Sequence, residues 1–180
     1  MRRFAVLLAL ALSTAAVLAG SAGSAHNTSS FQVFVDETTS AAPNGLMLIS
    51  ELEGSFNVVG KTASGAGDYQ VWAGSTEVDH GTFTLTRLIE FQFYGCGEVT
   101  GEDGNPIELP PDYCGGRALF AIHYTSYTGQ EGTANYEVNC QIHDQGGQAP
   151  PGTSEGVKAN ARGVNFNRHV TGDNLFVMLP

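Results

Sequence analysis

The sequence predicts an all-β chain, an antiparallel β-sandwich of Ig-like or jelly-roll-like type behind an N-terminal signal peptide, and three observations carry that reading. The first is the run Thr82–Tyr94, in which Phe83, Leu85, Ile89, Phe91 and Phe93 are apolar and the positions between them mostly polar, broken at Arg87 and Leu88. Side chains on a strand alternate between faces, so this is one long strand with an apolar face and a wet face. Typical strands run about 5–6 residues, so one this long bends or spans two sheets, and its apolar face needs a second layer. The second is a series of short apolar runs separated by Asn-Gly, Gly-Gly and Pro-Pro punctuation, with no helical period. The third is the order of the first 25 residues.

Arg2 and Arg3 precede an apolar run from Phe4 to Leu18, and AGSAGSA follows. Charged, apolar and small residues in that order form a secretory leader, and the run is shorter than the ~20 residues a membrane span needs. Cleavage falls after Ala19, Ala22 or Ala25. Residues 1–25 are thus expected to be the leader and 26–180 a single domain, secreted or at the cell surface with no stable membrane span. Ser21 stands where a lipoprotein would carry its modified cysteine.

Acidic side chains dominate, 18 against 8 basic, for a net charge of −10. Removing a leader that holds two of the basic residues and none of the acidic ones takes the charge two lower, to −12. That sign excludes nucleic acid and anionic lipid as expected partners, because both need a basic footprint. The partners left are an extracellular protein, a carbohydrate or further copies of the chain.

Phe31, Val33 and Val35 alternate with polar residues in the first mature strand, and Gly45–Ile49 follows the turn-like Ala42-Pro43-Asn44-Gly45. Further strands are expected at Phe56–Val59, Tyr69–Trp72, Arg117–Tyr127, Ala134–Ile142, Val157–Ala161, Val164–Phe166 and Leu175–Leu179. A phase shift at Gly163 reads as a β-bulge. The expected core is Phe83, Leu85, Ile89, Phe91, Phe93, Phe120, Ile122, Val138 and Ile142, with His123 on the other face of its strand. The segment Gln145–Gly152, QGGQAPPG, reads as a surface loop.

Three cysteines in an exported chain allow one disulfide. Cys96 ends the long strand and Cys114 precedes the next, so a Cys96–Cys114 bond would clamp the base of a hairpin. Cys96–Cys140 is the competing pairing. Between the first two lie Glu98, Glu102, Asp103, Glu108 and Asp112 with no basic residue, the oxygen donors that calcium takes. The D-x-D-x-D-G spacing of an EF-hand is absent. No cofactor is expected beyond this calcium candidate.

Cleavage after Ala25 would make His26 the mature N-terminus, where amine and ring together can hold copper, with a second ligand from His80, His123, His143 or His169. This arrangement resembles the histidine brace of lytic polysaccharide monooxygenases, which are secreted β-sandwich proteins, and the resemblance would imply a copper-dependent oxidase. It covers His26 and the fold class alone, and Asn27 stands where that family begins His-Gly. Nucleophile elbows, zinc-protease motifs and phosphate-binding glycine loops are missing from the sequence. Tyr69, Trp72 and Tyr94 could form an aromatic surface for sugar rings. The expected function is therefore a non-catalytic structural, matrix or binding role, with assembly by exchange of the terminal strands as a further device. A copper enzyme and a calcium-stabilised adhesion or carbohydrate-binding module are the alternatives.

Overall fold

The computed structural model describes residues 30–100, 104–142 and 154–180. The expected leader, His26, Glu102, Asp103, His143 and the glycine- and proline-rich segment up to 153 lie outside the described residues. Eleven strands and no helix make up the described chain. They are β1 (Ser30–Ala41), β2 (Leu46–Asn57), β3 (Thr62–Ala73), β4 (Thr76–Cys96), β5 (Glu98–Thr100), β6 (Pro106–Glu108), β7 (Tyr113–Ser126), β8 (Glu131–Cys140), β9 (Gly156–Ala161), β10 (Val164–Phe166) and β11 (Arg168–Met178).

Nine of them form one antiparallel sheet in the order β10-β9-β8-β7-β11-β1-β2-β3-β4. Strand β4 also hydrogen-bonds to β7 along nearly its whole length, from Gly81↔Ser126 to Cys96↔Cys114. That pairing closes β1, β2, β3, β4, β7 and β11 into a ring. At its start β7 pairs with β11 through Phe176↔Cys114, and beyond Gly116 the same edge passes to β8. Strands β8, β9 and β10 thus branch from the ring and fold back over it, where the Ser40 hydroxyl donates to the Val157 carbonyl.

The long alternating stretch is the core of β4, and its length follows from its position, since it pairs with β3 in its first half and with β7 from Gly81 onward. Its apolar phase is not constant. Register shifts fall between Leu85 and Arg87, Leu88 and Glu90, and Phe93 and Gly95. Each extra residue in one strand of a pair turns the following side chains to the other face. Phe83 and Leu85 are buried as expected, whereas Leu88, a breaker of the alternation, is only 1% exposed. Phe93 is 45% exposed, and Ile89, Phe91 and Ile142 are half-buried, which corrects the core expected from strict alternation. Phe120, Ile122 and Val138 are buried on the expected face.

Two other expectations change. The runs Gly45–Ile49 and Phe56–Val59 belong to one strand, β2, because Leu52 between them is buried in phase, and Val59 lies exposed in the following turn. Gly163 is not a bulge. With φ of 51° at Arg162 and 77° at Gly163, and Ala161 paired to Val164, the two residues form the tight turn of the β9–β10 hairpin. Two-residue hairpins with both central residues at positive φ match the strand twist, and they favour Asn-Gly over Arg-Gly.

The interior has two ends. At one, Phe31, Phe56, Phe91, Phe120 and Phe176 interlock with ring centroids 4.9–5.8 Å apart. At this end the Cys96–Cys114 disulfide joins β4 to β7, as the sequence suggested, and Cys140 is a buried free thiol. At the other end the strands enclose a cavity.

Candidate functional site

The cavity holds about 220 Å³ and lies between the start of β2, the end of β3, the start of β4, the end of β7 and the β8–β9–β10 branch. It exists because three inward positions of the branch are alanines. Ala134 on β8 and Ala159 and Ala161 on β9 face Leu46, Leu48 and Val71, and no large side chain fills the gap. Its walls are apolar except for a buried pair in its depth and a cluster of four side chains at the β9–β10 turn.

The deep pair is Ser50 and Tyr136, whose hydroxyls lie 2.9 Å apart and are both buried. Inward phase on β2 runs Leu48, Ser50, Leu52, so Ser50 must point inside. Burial pushes the Tyr136 phenol well above its ordinary range, with the Ser50 hydrogen bond opposing the shift. Each hydroxyl thus has a hydrogen-bond partner in the other, as buried polar groups usually do.

The rim cluster joins β3, β4, β7 and the β9–β10 turn. The Arg162 Nε–H donates to the Tyr124 hydroxyl at 3.0 Å, and the guanidinium carbon lies 5.3 Å from the centre of the same ring. Arg162 Nη1 stands 3.7 Å from Asp79 Oδ2, and the Tyr69 hydroxyl donates to that same oxygen at 3.3 Å. The Tyr69 and Tyr124 rings meet edge to face at 6.3 Å. Burial, the Asp79 charge and the Asp79 hydrogen bond push the Tyr69 phenol up to about 12. The Tyr124 hydrogen bond and the nearby Asp79 carboxylate raise the guanidinium further still, against a desolvation effect of opposite sign. The rim therefore sets one guanidinium against one carboxylate, beside two phenol hydroxyls that hydrogen-bond to them.

Local sequence fixes these side chains. Tyr124 pairs with Gly132, where an added Cβ would stand 2.4 Å from the phenol oxygen, so glycine leaves room for the ring to lie across the strand. Phe83 lies across Gly67 in the same way, with a Cβ 2.6 Å from the ring. Arg162 is held in a left-handed conformation by its tight turn. A non-glycine residue in that region is mildly strained, and such strain concentrates at functional positions.

The sequence-derived candidates are placed as follows. Tyr69 is at the rim. Trp72 lies beyond a register shift, its indole N–H donating to Gln70 Oε1 at 3.1 Å. Tyr94 is only 1% exposed and donates to Asn139 Oδ1 at 2.8 Å, so Tyr69, Trp72 and Tyr94 do not form a common aromatic surface. The hydroxyl of Tyr94 is accommodated inside because Asn139, Asn174 and Thr38 form a buried polar chain around it. Of the acidic residues, Glu98 and Glu108 sit opposite each other in the β5–β6 hairpin and Asp112 precedes β7. Among the described residues no group of three His, Cys, Asp or Glu side chains is placed to hold a metal. His80 contacts Glu77 at 2.7 Å and stacks on Tyr127, His123 faces Glu131 at 3.7 Å, and His169 lies beside Gly156.

Sequence reasoning missed Asp79, Arg162, Ser50 and Tyr136. Two signals were present: an arginine in an Arg-Gly turn, and a serine in the apolar phase of its strand.

Fold and site together define an all-β protein with an apolar cavity and a charge-balanced polar rim. The chain matches no protein-family model, no curated protein and no solved structure.

Proposed function

We propose that this chain is a secreted, non-catalytic β-sandwich protein that binds a small apolar molecule in the cavity at the β9–β10 end. The observation that carries this reading is the cavity itself, apolar on all sides with its few polar groups confined to one deep pair and one rim. Small-molecule sites have this composition: a largely preformed apolar pocket with a few placed polar groups. The only ionisable lining groups, Asp79, Arg162 and the phenols, are engaged with one another or held neutral. They are arranged to hold rather than to activate. The leader-like first 25 residues, the disulfide and the acidic composition support an extracellular address.

A binding role fits the topology better than a structural one built on strand exchange. Strand β1 is hydrogen-bonded on both sides, and β11 is paired with β1 along its length and with β7 at Phe176↔Cys114 and Val177↔Tyr113, so both are built into the ring. Donor-strand exchange would require one of them to leave it.

The test is a ligand-observed NMR titration of the leader-free, disulfide-bonded protein with ethylbenzene, beside Ala159→Leu, whose larger side chain enters the cavity. An engineered cavity of 150 Å³ holds benzene, so one of about 220 Å³ holds about nine heavy atoms on the same scale. Saturation transfer to ethylbenzene in the native protein and its loss in folded Ala159→Leu is the expected result. Absence of transfer in the native protein would sink the proposal.

A further inference from the structure

We infer that the guest is an uncharged molecule with one hydroxyl-bearing end, and that Asp79 makes the site reject a carboxylate of the same length. The inference rests on the cavity binding a guest, as proposed above, and adds the chemistry of the guest's head.

Two places in the cavity hold polar groups, and only the rim holds charged ones. Ser50 and Tyr136 are hydrogen-bonded to each other in the depth, so an apolar tail there breaks no hydrogen bond. At the rim, the contacts from Arg162 and Tyr69 both fall on Asp79 Oδ2. Among the described residues no hydrogen bond falls on Asp79 Oδ1 or Arg162 Nη2, so the first can accept and the second can donate. A hydroxyl does both, donating to the carboxylate and accepting from the guanidinium. The guest would then lie with its tail toward Phe83 and Ala134 and its head beneath the β9–β10 turn.

Charge decides between heads of similar shape. The rim carries one guanidinium and one carboxylate in contact, so a carboxylate head would gain Arg162 and meet Asp79 at the same time. An ammonium head would meet the opposite conflict. The whole chain, at −10, adds a field that disfavours anions further. An uncharged head incurs neither repulsion. Specificity built on an unfavourable charge contact with the wrong ligand is a common device, and Asp79 supplies it here.

The position of Arg162 supports a role at the head rather than in packing. It occupies a strained turn position, its side chain is partly exposed, and it reaches back to β4 and β7 across the cavity mouth. A residue serving only the turn would be Asn or Gly.

Calorimetric titration with 1-octanol and with octanoate at pH 7.5 tests this, with ethylbenzene as the reference for the cavity. In the native protein octanol should bind about tenfold tighter than octanoate, the order expected of one unit charge near a partly exposed partner. Asp79→Asn leaves Arg162 as the only rim charge and should tighten octanoate about tenfold, so that the preference disappears or inverts. Arg162→Gln leaves Asp79 alone and should widen the preference for octanol. Thermal melts check that both variants are folded. Equal binding of the two amphiphiles to the native protein would overturn the inference, as would a preference unchanged in Asp79→Asn. Ethylbenzene binding without octanol binding overturns it while leaving the apolar site standing. Failure of all three ligands removes the site itself.

Discussion

The phase slip in β4 can be tested by two substitutions five residues apart, Leu88→Ala and Phe93→Ala. Strict alternation puts Phe93 in the core and leaves Leu88 as a break, whereas the structure buries Leu88 to 1% exposure and leaves Phe93 45% exposed. Truncating a buried leucine removes transfer energy and leaves a cavity, together about 2–5 kcal/mol; with Leu88 inside the main core cluster, about 3 kcal/mol is expected. Phe93 contacts Phe31 at 6.0 Å and Phe91 at 6.3 Å on one side and solvent on the other. Burying a whole phenylalanine side chain is worth about 1.5–3 kcal/mol, so roughly half of that, about 1 kcal/mol, should be lost in Phe93→Ala with no closed cavity added. Urea unfolding at pH 7 with the disulfide intact reads both, provided the denaturant slope is unchanged between variants. A greater loss from Phe93→Ala than from Leu88→Ala would show that Leu88 is not the buried residue of the two and that the register shifts placing it inside are wrong.

Other expectations follow from the same structure. Cys140, buried and with its thiol pushed up to about 12 by desolvation and by the nearby Glu155 charge, should resist iodoacetamide until the chain unfolds; reduction of Cys96–Cys114, which spans 18 residues, should lower stability by about 3 kcal/mol in the chain-entropy model. Tyr69 keeps its proton to about 12 in the folded chain and loses it near 10 when unfolded, so its contribution is intact below pH 10 and is lost as pH rises from 10 to 12. Melting curves of Tyr69→Phe should therefore fall less steeply than wild type across that window. Gly67→Ala, whose Cβ would stand 2.1 Å from the Glu51 carbonyl oxygen and 2.6 Å from the Phe83 ring, should cost about 1–3 kcal/mol by overpacking, read by urea unfolding.

What was legible in the sequence was whatever depends on short-range phase. Phe120, Ile122 and Val138 alternate without interruption and are buried as read, and Cys96 and Cys114 flank a polar hairpin that brings their strands together. The phase of β4 was not legible, because two of its three bulges fall at Thr86 and Ile89 with no glycine to mark them, and they depend on the pairing to β7. Tyr94 was read as surface because aromatic residues with a polar tip often are; the acceptor that allows its burial, Asn139, lies two strands away. The cavity was least visible of all. It is made by what Ala134, Ala159 and Ala161 lack, and its rim joins Asp79, Tyr124 and Arg162 from three strands' ends that only the folded topology assembles.

The two ends of the interior divide the work of the fold between them, and this has a consequence for stability. The ring is locked where Phe31, Phe56, Phe91 and Phe176 interlock beside the disulfide, at the ends of β2 and β4 and the start of β7. The cavity opens at the other ends of these strands, where the branch contributes alanines. Close packing is the normal state of a protein interior, so an unfilled apolar space is a stability left unused. Ala159→Leu should use it: three added carbons at about 0.8 kcal/mol each, less about 0.5–1 kcal/mol of side-chain entropy, give about 1.5 kcal/mol. For a domain of this size that raises the melting temperature by about 3–6 °C. The same substitution is expected to abolish ethylbenzene binding, so stability and binding should move in opposite directions at one residue, as they do where a site is kept open for function. A leucine that destabilises the chain would mean that β9 sits too close to β2 and β3 to leave room, and that the space is a packing defect too narrow for a guest.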